Sequence, residues 1–245
     1  MRFRVASLNM MAPAGPFLGW GRRAHVLASL LSAYGPDLIG TQEATSESLA
    51  AFSSQFPGYA ILGRGRWASG NGIQCAVLFR QDRFQLQEFQ HFWLSSTPDR
   101  PGSKLKGMGS ARVATAVVLS TEAGPLTWMN VHFSHLSRRA QADIVLEGLK
   151  RLPRPWLVTG DFNSTASPPW SCHRVLSKSL FDLASEAGPT WNARLGLPLA
   201  RLDWIMGSEE LRSRGCQVIR AGGSDHWPVL ADIERATHQP ESVRI

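Results

Sequence analysis

The sequence predicts a single α/β domain, and three observations carry that prediction. Short apolar or alternating runs recur along the chain, separated by fewer and longer stretches of helical period. The 245 residues, 43% of them hydrophobic and nine of them tryptophan, suffice for one sizeable core. No internal repeat, low-complexity tract or linker divides the chain, so residues 1–234 are assigned to one domain and 235–245 to a polar C-terminal tail.

Residues 3–9, FRVASLN, alternate like a strand. RRAHVLASLLSAYG (22–35) sets Val26, Leu27, Leu30, Leu31 and Tyr34 on one face and stops near Gly35-Pro36, as a helix does. DLIGTQE (37–43) reads as a short buried strand, and SESLAAFSSQF (46–56) as a helix capped at Thr45 or Ser46. From 59 to 133, five β-rich runs bounded by Gly, Pro, Ser or Asp read as a meander. Within it, Ser95 to Ser110 is a long basic loop, and loops beyond about 12 to 15 residues are usually functional or disordered. A helix follows from Ser137 to Leu152, with Ile144, Val145, Leu149 and Leu152 inward. PWLVTGDFN is then a strand with a polar end. A short helix at 169–177 and strands in RLDWIM, CQVIRA and PVLADI complete the domain, before a frayed last dozen residues.

Lys plus Arg number 26 against 19 Asp plus Glu, a net charge of +7. That balance favours a polyanionic partner: nucleic acid, an anionic membrane surface or a phosphorylated small molecule. Cys75, Cys172 and Cys216 are odd in number, widely spaced and outside any CxxC pair, which predicts reduced packing residues in a cytoplasmic protein. The N-terminal apolar run is broken by Ser7, Asn9, Pro13 and Gly15, so no signal peptide is expected. No window has the uninterrupted apolar length of a membrane span. A monomer is expected.

Polar residues collect where strands end: Asn9, then Gln42-Glu43, Asn130-x-His132, Asp161-x-Asn163, Asp203 and Asp225-His226. Each alone has a plain reading; TGDFN could be an Asx turn, and GSDHWPV a turn before an edge strand. Asp203 is harder to place so, because a carboxylate among Leu202, Trp204 and Ile205 needs a partner, for which a histidine serves. Oxygen donors without a thiolate cluster suit magnesium or manganese. Phosphoester hydrolysis needs charge neutralised, a water activated in line and the leaving oxygen stabilised. Glu43 and Asp225 are suited to the metal, Asp161 to the water's proton, and His132 and His226 to the phosphate oxygens.

SLNM, IGTQE, NVHFSH, TGDFN, RLDWIM and SDHWPV, in this order between Asn9 and Val229, resemble the endonuclease/exonuclease/phosphatase superfamily. The resemblance implies a four-layer α/β/β/α sandwich of two packed, mostly antiparallel sheets with helices outside and a divalent-metal site at one edge. It implies Glu43 as principal Mg2+ ligand (Mn2+ as alternative), with Asn9 adjacent and Asp225 near the metal. Asp161 would activate the water and Asn163 would position it or the phosphate. His226, oriented by Asp203, would contact the scissile phosphate; His132 would sit on its other side, with Arg112 and Asn130 as further phosphate contacts. Two departures stand out: VHFSH puts Val131 and Ser134 where many relatives have THLDH, and GRGRWASGNGIQC offers Asn71 where relatives often have an acid.

The leading expectation is a phosphodiesterase acting on nucleic acid, with Arg64, Arg66, Lys104 and Lys106 following the backbone and Trp20 or Trp67 stacking bases. Trp93 fits core packing better. The alternatives are a phosphomonoesterase or phospholipid-type phosphodiesterase on a small phosphate ester, and an inactive nucleic-acid-binding module. A long basic channel would favour polynucleotide, and a closed pocket a small ester.

Overall fold

Strand β1 (Arg2–Asn9) turns Phe3 and Val5 to one face and Ala6 and Leu8 to the other, and both faces are covered. It is followed by α1 (Trp20–Ser32), β2 (Leu38–Ala44), α2 (Ser46–Ser53), β3 (Tyr59–Leu62), β4 (Gln74–Arg80), β5 (Gln85–Trp93), β6 (Val113–Thr121) and β7 (Gly124–His132). Then come α3 (Arg138–Leu149), β8 (Trp156–Asp161), α4 (Cys172–Leu176), β9 (Phe181–Asp182), β10 (Asp203–Gly207), β11 (Leu211–Val218) and β12 (Val229–Arg235). The computed structural model describes residues 1–12 and 20–235.

The strands form two six-stranded sheets, ordered β11-β12-β1-β2-β4-β3 and β5-β6-β7-β8-β10-β9. β1–β2 and β7–β8 are the parallel pairs, and every other pairing is antiparallel. Three apolar layers hold the sandwich. Val5, Leu38, Phe79, Val117, Trp128 and Leu157 fill the space between the sheets. Leu27, Leu31, Ile39 and Phe52 join α1 and α2 to the first sheet, and Met129, Val145, Leu149 and Val158 join α3 to the second. The result is the α/β/β/α order that the motifs implied. Thr45 caps α2 through a capping box with Ser48.

Three sequence expectations change. The run from 59 to 133 is not one meander: β3 and β4 belong to the first sheet, β5 to β7 to the second. The chain crosses over after β4, where Phe84 drops into the inter-sheet layer edge-on to Phe3. Strand periodicity is the same in either sheet, so it cannot reveal this exchange. β9 and most of β11 escape the pattern because they are short or largely exposed. Glu234 and Arg235, expected to fray, are held in β12: Glu234 bonds Arg2 at 3.1 Å, and the Arg235 N–H donates to Met1 O at 2.9 Å. The rest of the expected tail, 236–245, lies outside the described residues, as does the Trp20 side chain.

The three cysteines are free, Cys75 and Cys172 buried and Cys216 half-buried. Burial pushes the Cys75 thiol up to about 12, which suits packing rather than reactivity.

Below the site the two sheets meet through a polar layer. Asn130 Nδ2 donates to Thr41 O (2.8 Å) and Ala76 O (2.9 Å), while its Oδ1 accepts from Gln42 Nε2 (2.7 Å) and Thr159 Oγ1 (3.1 Å). Gly40 makes this approach possible, since a Cβ there would fall 2.5 Å from Thr159 Oγ1 and 2.7 Å from Asn130 Oδ1.

Candidate active site

Strand register builds the site. His132 of β7 is the Cα partner of Asp161 of β8, and Asp161 is in turn the partner of Asp203 of β10. From the facing sheet, Asn9 ends β1 opposite Gln42, and Asn9 Nδ2 donates to Asp161 Oδ2 at 3.0 Å. That bond ties the two sheets at their polar ends. The register of β2 against β4 shifts between Thr41 and Ala44, and within this bulge Glu43 adopts φ of 55°. Bulges re-aim side chains at sheet ends. Glu43 Oε2 accepts from Ala12 N–H at 2.7 Å, leaving Oε1 facing the site 3.9 Å from His132 Nε2. Asn163 is likewise left-handed, at φ 50°; such backbone strain clusters at functional sites.

GSDHWPV is held as a strap just before β12. Its backbone is bonded to the loop at 190–192: Trp227 N–H donates to Thr190 O (2.7 Å), and Asn192 N–H donates to Asp225 O (2.8 Å). Ser224 Oγ donates to Asn9 O at 2.7 Å and accepts from His226 N–H at 3.1 Å. His226 Nδ1 lies 2.7 Å from Asp203 Oδ2, and its Nε2 lies 3.8 Å from Asp161 Oδ2. The expected contact between Asp203 and His226 is therefore present. Thr190 Oγ1 completes it, donating to Asp203 Oδ2 at 2.5 Å. Sequence reasoning missed Thr190, because GPTWN sits in an irregular loop with no period to read.

The two imidazoles are set oppositely. Burial works against a charge on His226, but Asp203 and Asp161, the bond to Asp203, and Asp225 outweigh it and raise its pKa to about 10. Burial lowers the His132 pKa well below its usual value, and the Arg112 guanidinium lowers it further. His132 is thus a neutral ring, with Arg112 Nη1 2.8 Å from its Nδ1 and Asn163 Nδ2 3.0 Å from its Nε2. Burial drives the Asp161 pKa up, and Asp203 adds to this, although the His226 charge and bonds from Asn163 and Asn9 restrain the rise.

Asn9, Glu43, Arg112, Asp161, Asn163 and the Asp225-His226 pair line one pocket of about 460 Å3, with Trp191, Ala200 and Leu202 on its wall. His135, three residues after His132 in NVHFSH, is also on its wall. Asn130 is not. It was expected to touch phosphate, but it is fully buried and both ends of its amide are used between the sheets, so it supports the site from below. The expected basic track is divided. Arg66 is half-buried; Arg64 packs 5.9 Å from the Phe89 ring; Lys104 bonds Gly109 O in its own loop. Neither lysine of that loop lines the pocket. Trp93 donates to Arg66 O and packs in a small cluster with Cys75, while Trp67 is exposed.

The donor chemistry fits a hard divalent cation. Glu43 and Asp225 present carboxylates to the same pocket beside Asn9, and no cysteine lines it among the described residues. Asp161, Asp203 and His226 also bring donors within 4.8 Å of one another. Two of these, Asp203 Oδ2 and His226 Nδ1, are already spent on each other, so the carboxylates at the mouth suit a cation better.

A four-layer sandwich with this set of acids, amides and imidazoles at one edge defines a phosphoester hydrolase of the deoxyribonuclease I-like class. The chain belongs to the endonuclease/exonuclease/phosphatase family, whose model matches residues 6–226. It is similar in structure to a Bacteroides thetaiotaomicron member of that family, at 26% identity over 95% of both chains with a TM-score of 0.87. The mannosyl-6-phosphatase Bt3783 of that organism is 27% identical over 95% of this chain and 99% of its own, also with a TM-score of 0.87. D. rerio TDP2, complexed with a single-strand DNA product, has the same fold at 17% identity, 95% and 99% coverage and a TM-score of 0.77. No curated protein sequence matches the chain.

Proposed function

We propose that the protein is a metal-assisted hydrolase of a small phosphate ester, a phosphomonoesterase in preference to a nuclease. The observation that carries this is the pocket: the polar groups line one concavity of about 460 Å3 together with Trp191, Ala200 and Leu202, a volume suited to one small ligand. The 27% identity to a mannosyl-6-phosphatase, against 17% to the DNA-bound TDP2, supports the same choice.

Asp161 accepts the proton of the attacking water, its raised pKa placing it in the range of a useful base. Asn9 and Asn163 fix its two oxygens. Charged His226, held by Asp203, donates from Nε2 toward the phosphate. Arg112 clamps phosphate oxygens from the His132 side. Glu43, Asp225 and Asn9 would hold the Mg2+ or Mn2+, which supplies charge neutralisation for the phosphate and its leaving oxygen.

Initial rates in Mg2+ on p-nitrophenyl phosphate, bis(p-nitrophenyl) phosphate, mannose 6-phosphate, plasmid, single-stranded DNA and RNA test this. The expected order puts the monoesters first and leaves polynucleotides at background. Faster cleavage of DNA or RNA than of the monoesters overturns the reading in favour of a nuclease. DNA binding in chelator with no hydrolysis of anything would mark an inactive binding module.

A further inference from the structure

Beside the catalytic pocket lies a second groove of about 600 Å3 whose role the hydrolysis mechanism leaves unassigned. Three arginines from three separate parts of the chain meet in it: Arg23 from α1, Arg194 from the loop before β10, and Arg220 after β11. No carboxylate lines it among the described residues. We infer that this groove is a second anion subsite, which holds a further phosphate group of the substrate while the scissile phosphate occupies the catalytic pocket. The inference rests on the small-ester reading and narrows it to esters carrying two phosphates.

The arginines are positioned rather than merely exposed. Arg23 Nη2 donates to Met11 O at 2.7 Å, and Arg194 Nε reaches Met11 Sδ at 3.1 Å, so one residue fixes both. The Arg220 guanidinium lies 5.6 Å from the centre of the Trp227 ring, directly after catalytic His226 in sequence. The backbone is strained to achieve this. Met11, Ala193 and Arg194 have φ of 53°, 48° and 64°, and together with Glu43 and Asn163 they are all the non-glycine residues with positive φ among those described. Four of the five line the pocket or the groove, and Ala193 stands between Asn192 and Arg194 of the groove wall. Strain of that kind persists only where the surroundings impose it. At the floor, Gly223 at φ 120° lies against α1, where a Cβ would come 2.9 Å from Leu27 Cδ2.

Electrostatics connects the two cavities. Burial and then the Arg194 charge lower the Arg23 pKa, while Asp225 and Glu43 pull it up, so Arg23 senses both the groove and the metal-binding carboxylates. Asn192 and Ser224 line the groove, and their neighbours Trp191 and Asp225 line the catalytic pocket. Guanidinium groups facing one cavity repel each other until an anion enters, and their planar forks match phosphate oxygens in pairs.

The test compares fructose 1,6-bisphosphate with fructose 6-phosphate, and the dinucleotide pTpT with thymidine 5′-phosphate, in wild type, Arg194→Ala, Arg220→Ala and Arg194→Lys. A gain of about tenfold or more in kcat/KM is expected for the bisphosphate, the scale of one charged hydrogen bond. Either alanine variant should remove that gain through KM with little change in kcat, and lysine should restore part of it. Equal wild-type rates for mono- and bisphosphate, or equal losses on the bisphosphate and on p-nitrophenyl phosphate, overturn the subsite. A gain confined to pTpT and lost in Arg194→Ala keeps the subsite but overturns the small-ester reading. Calorimetric titration with inorganic pyrophosphate in EDTA judges the groove without catalysis. Binding should weaken at least tenfold in Arg194→Ala, and unchanged binding overturns the inference even if monoesters are hydrolysed.

Discussion

Asn130 and His132 stand two residues apart on β7, on one face of the strand, and meet different fates. Asn130 lies deeper, between the sheets, where four bonds absorb its amide; His132 reaches the pocket. The sequence spacing shows the shared face but not the depth, which is why one polar residue of the pair was misread. The difference is measurable. Asn130→Ala removes four buried bonds, to Gln42, Thr159 and the Thr41 and Ala76 carbonyls, so it should cost about 1–3 kcal/mol in urea unfolding while leaving KM unaltered. Asp161→Asn and Glu43→Gln should do the reverse, cutting turnover by about 10²- to 10⁴-fold with unfolding midpoints near or above wild type. Near wild-type rates in either would remove these residues from the mechanism. Asp203→Asn should be milder, since it weakens the charge and aim of His226 rather than touching the phosphate.

At the scale of elements, patterning located what is buried on one face and missed what is held by charge. α1, α2 and α3 were legible because their apolar residues recur at helical spacing, although Val26, read on the apolar face of α1, is exposed; β11 is mostly exposed and gives no period. The turn into β11 is pinned instead by an ionic clamp. Arg154, just before β8, donates to Glu210 Oε1 (2.6 Å) and Oε2 (3.0 Å), and Ser208 Oγ also donates to Oε2 (2.6 Å). Burial opposes the Glu210 charge, but bonds from Arg154 and Ser208 win and bring its pKa from 4.5 down to about 2. A carboxylate depressed on folding stabilises the native state fully above its unfolded pKa and ceases to do so as pH falls through the folded one. The clamp's contribution should therefore fade between about pH 4.5 and 2. Because the pair is only partly buried, solvent screening limits it to under about 1 kcal/mol. Urea midpoints of wild type should drop more steeply than those of Glu210→Gln across this window; parallel curves would mean that the clamp contributes nothing.

For the molecule as a whole, the site exists only because two sheets end together. Asn9 and Asp161 are 152 residues apart in sequence yet hydrogen-bonded at 3.0 Å, a proximity that no local pattern encodes and that the ordered set of motifs conveyed through family resemblance. The same convergence sets Glu43, Asp225 and Asp161 around one small volume, with Asp203 behind His226, in a chain whose net charge is +7. Acids gathered in this way repel one another, and a divalent cation bound among them would offset that repulsion in the folded state alone, because the unfolded chain disperses them. Ligand binding of that kind stabilises by about 2.7 kcal/mol at a hundredfold excess over Kd. For a chain of this size that corresponds to a rise in Tm of about 5–10 °C. Mg2+ or Mn2+ added after EDTA treatment should produce this shift by calorimetry and restore hydrolysis together. Glu43→Gln and Asp225→Asn should lose most of the shift, whereas Arg194→Ala should keep it, since the arginine groove holds no cation. Hydrolysis persisting in EDTA, with a Tm indifferent to either metal, would show that the carboxylates at the mouth serve some other purpose than holding an ion.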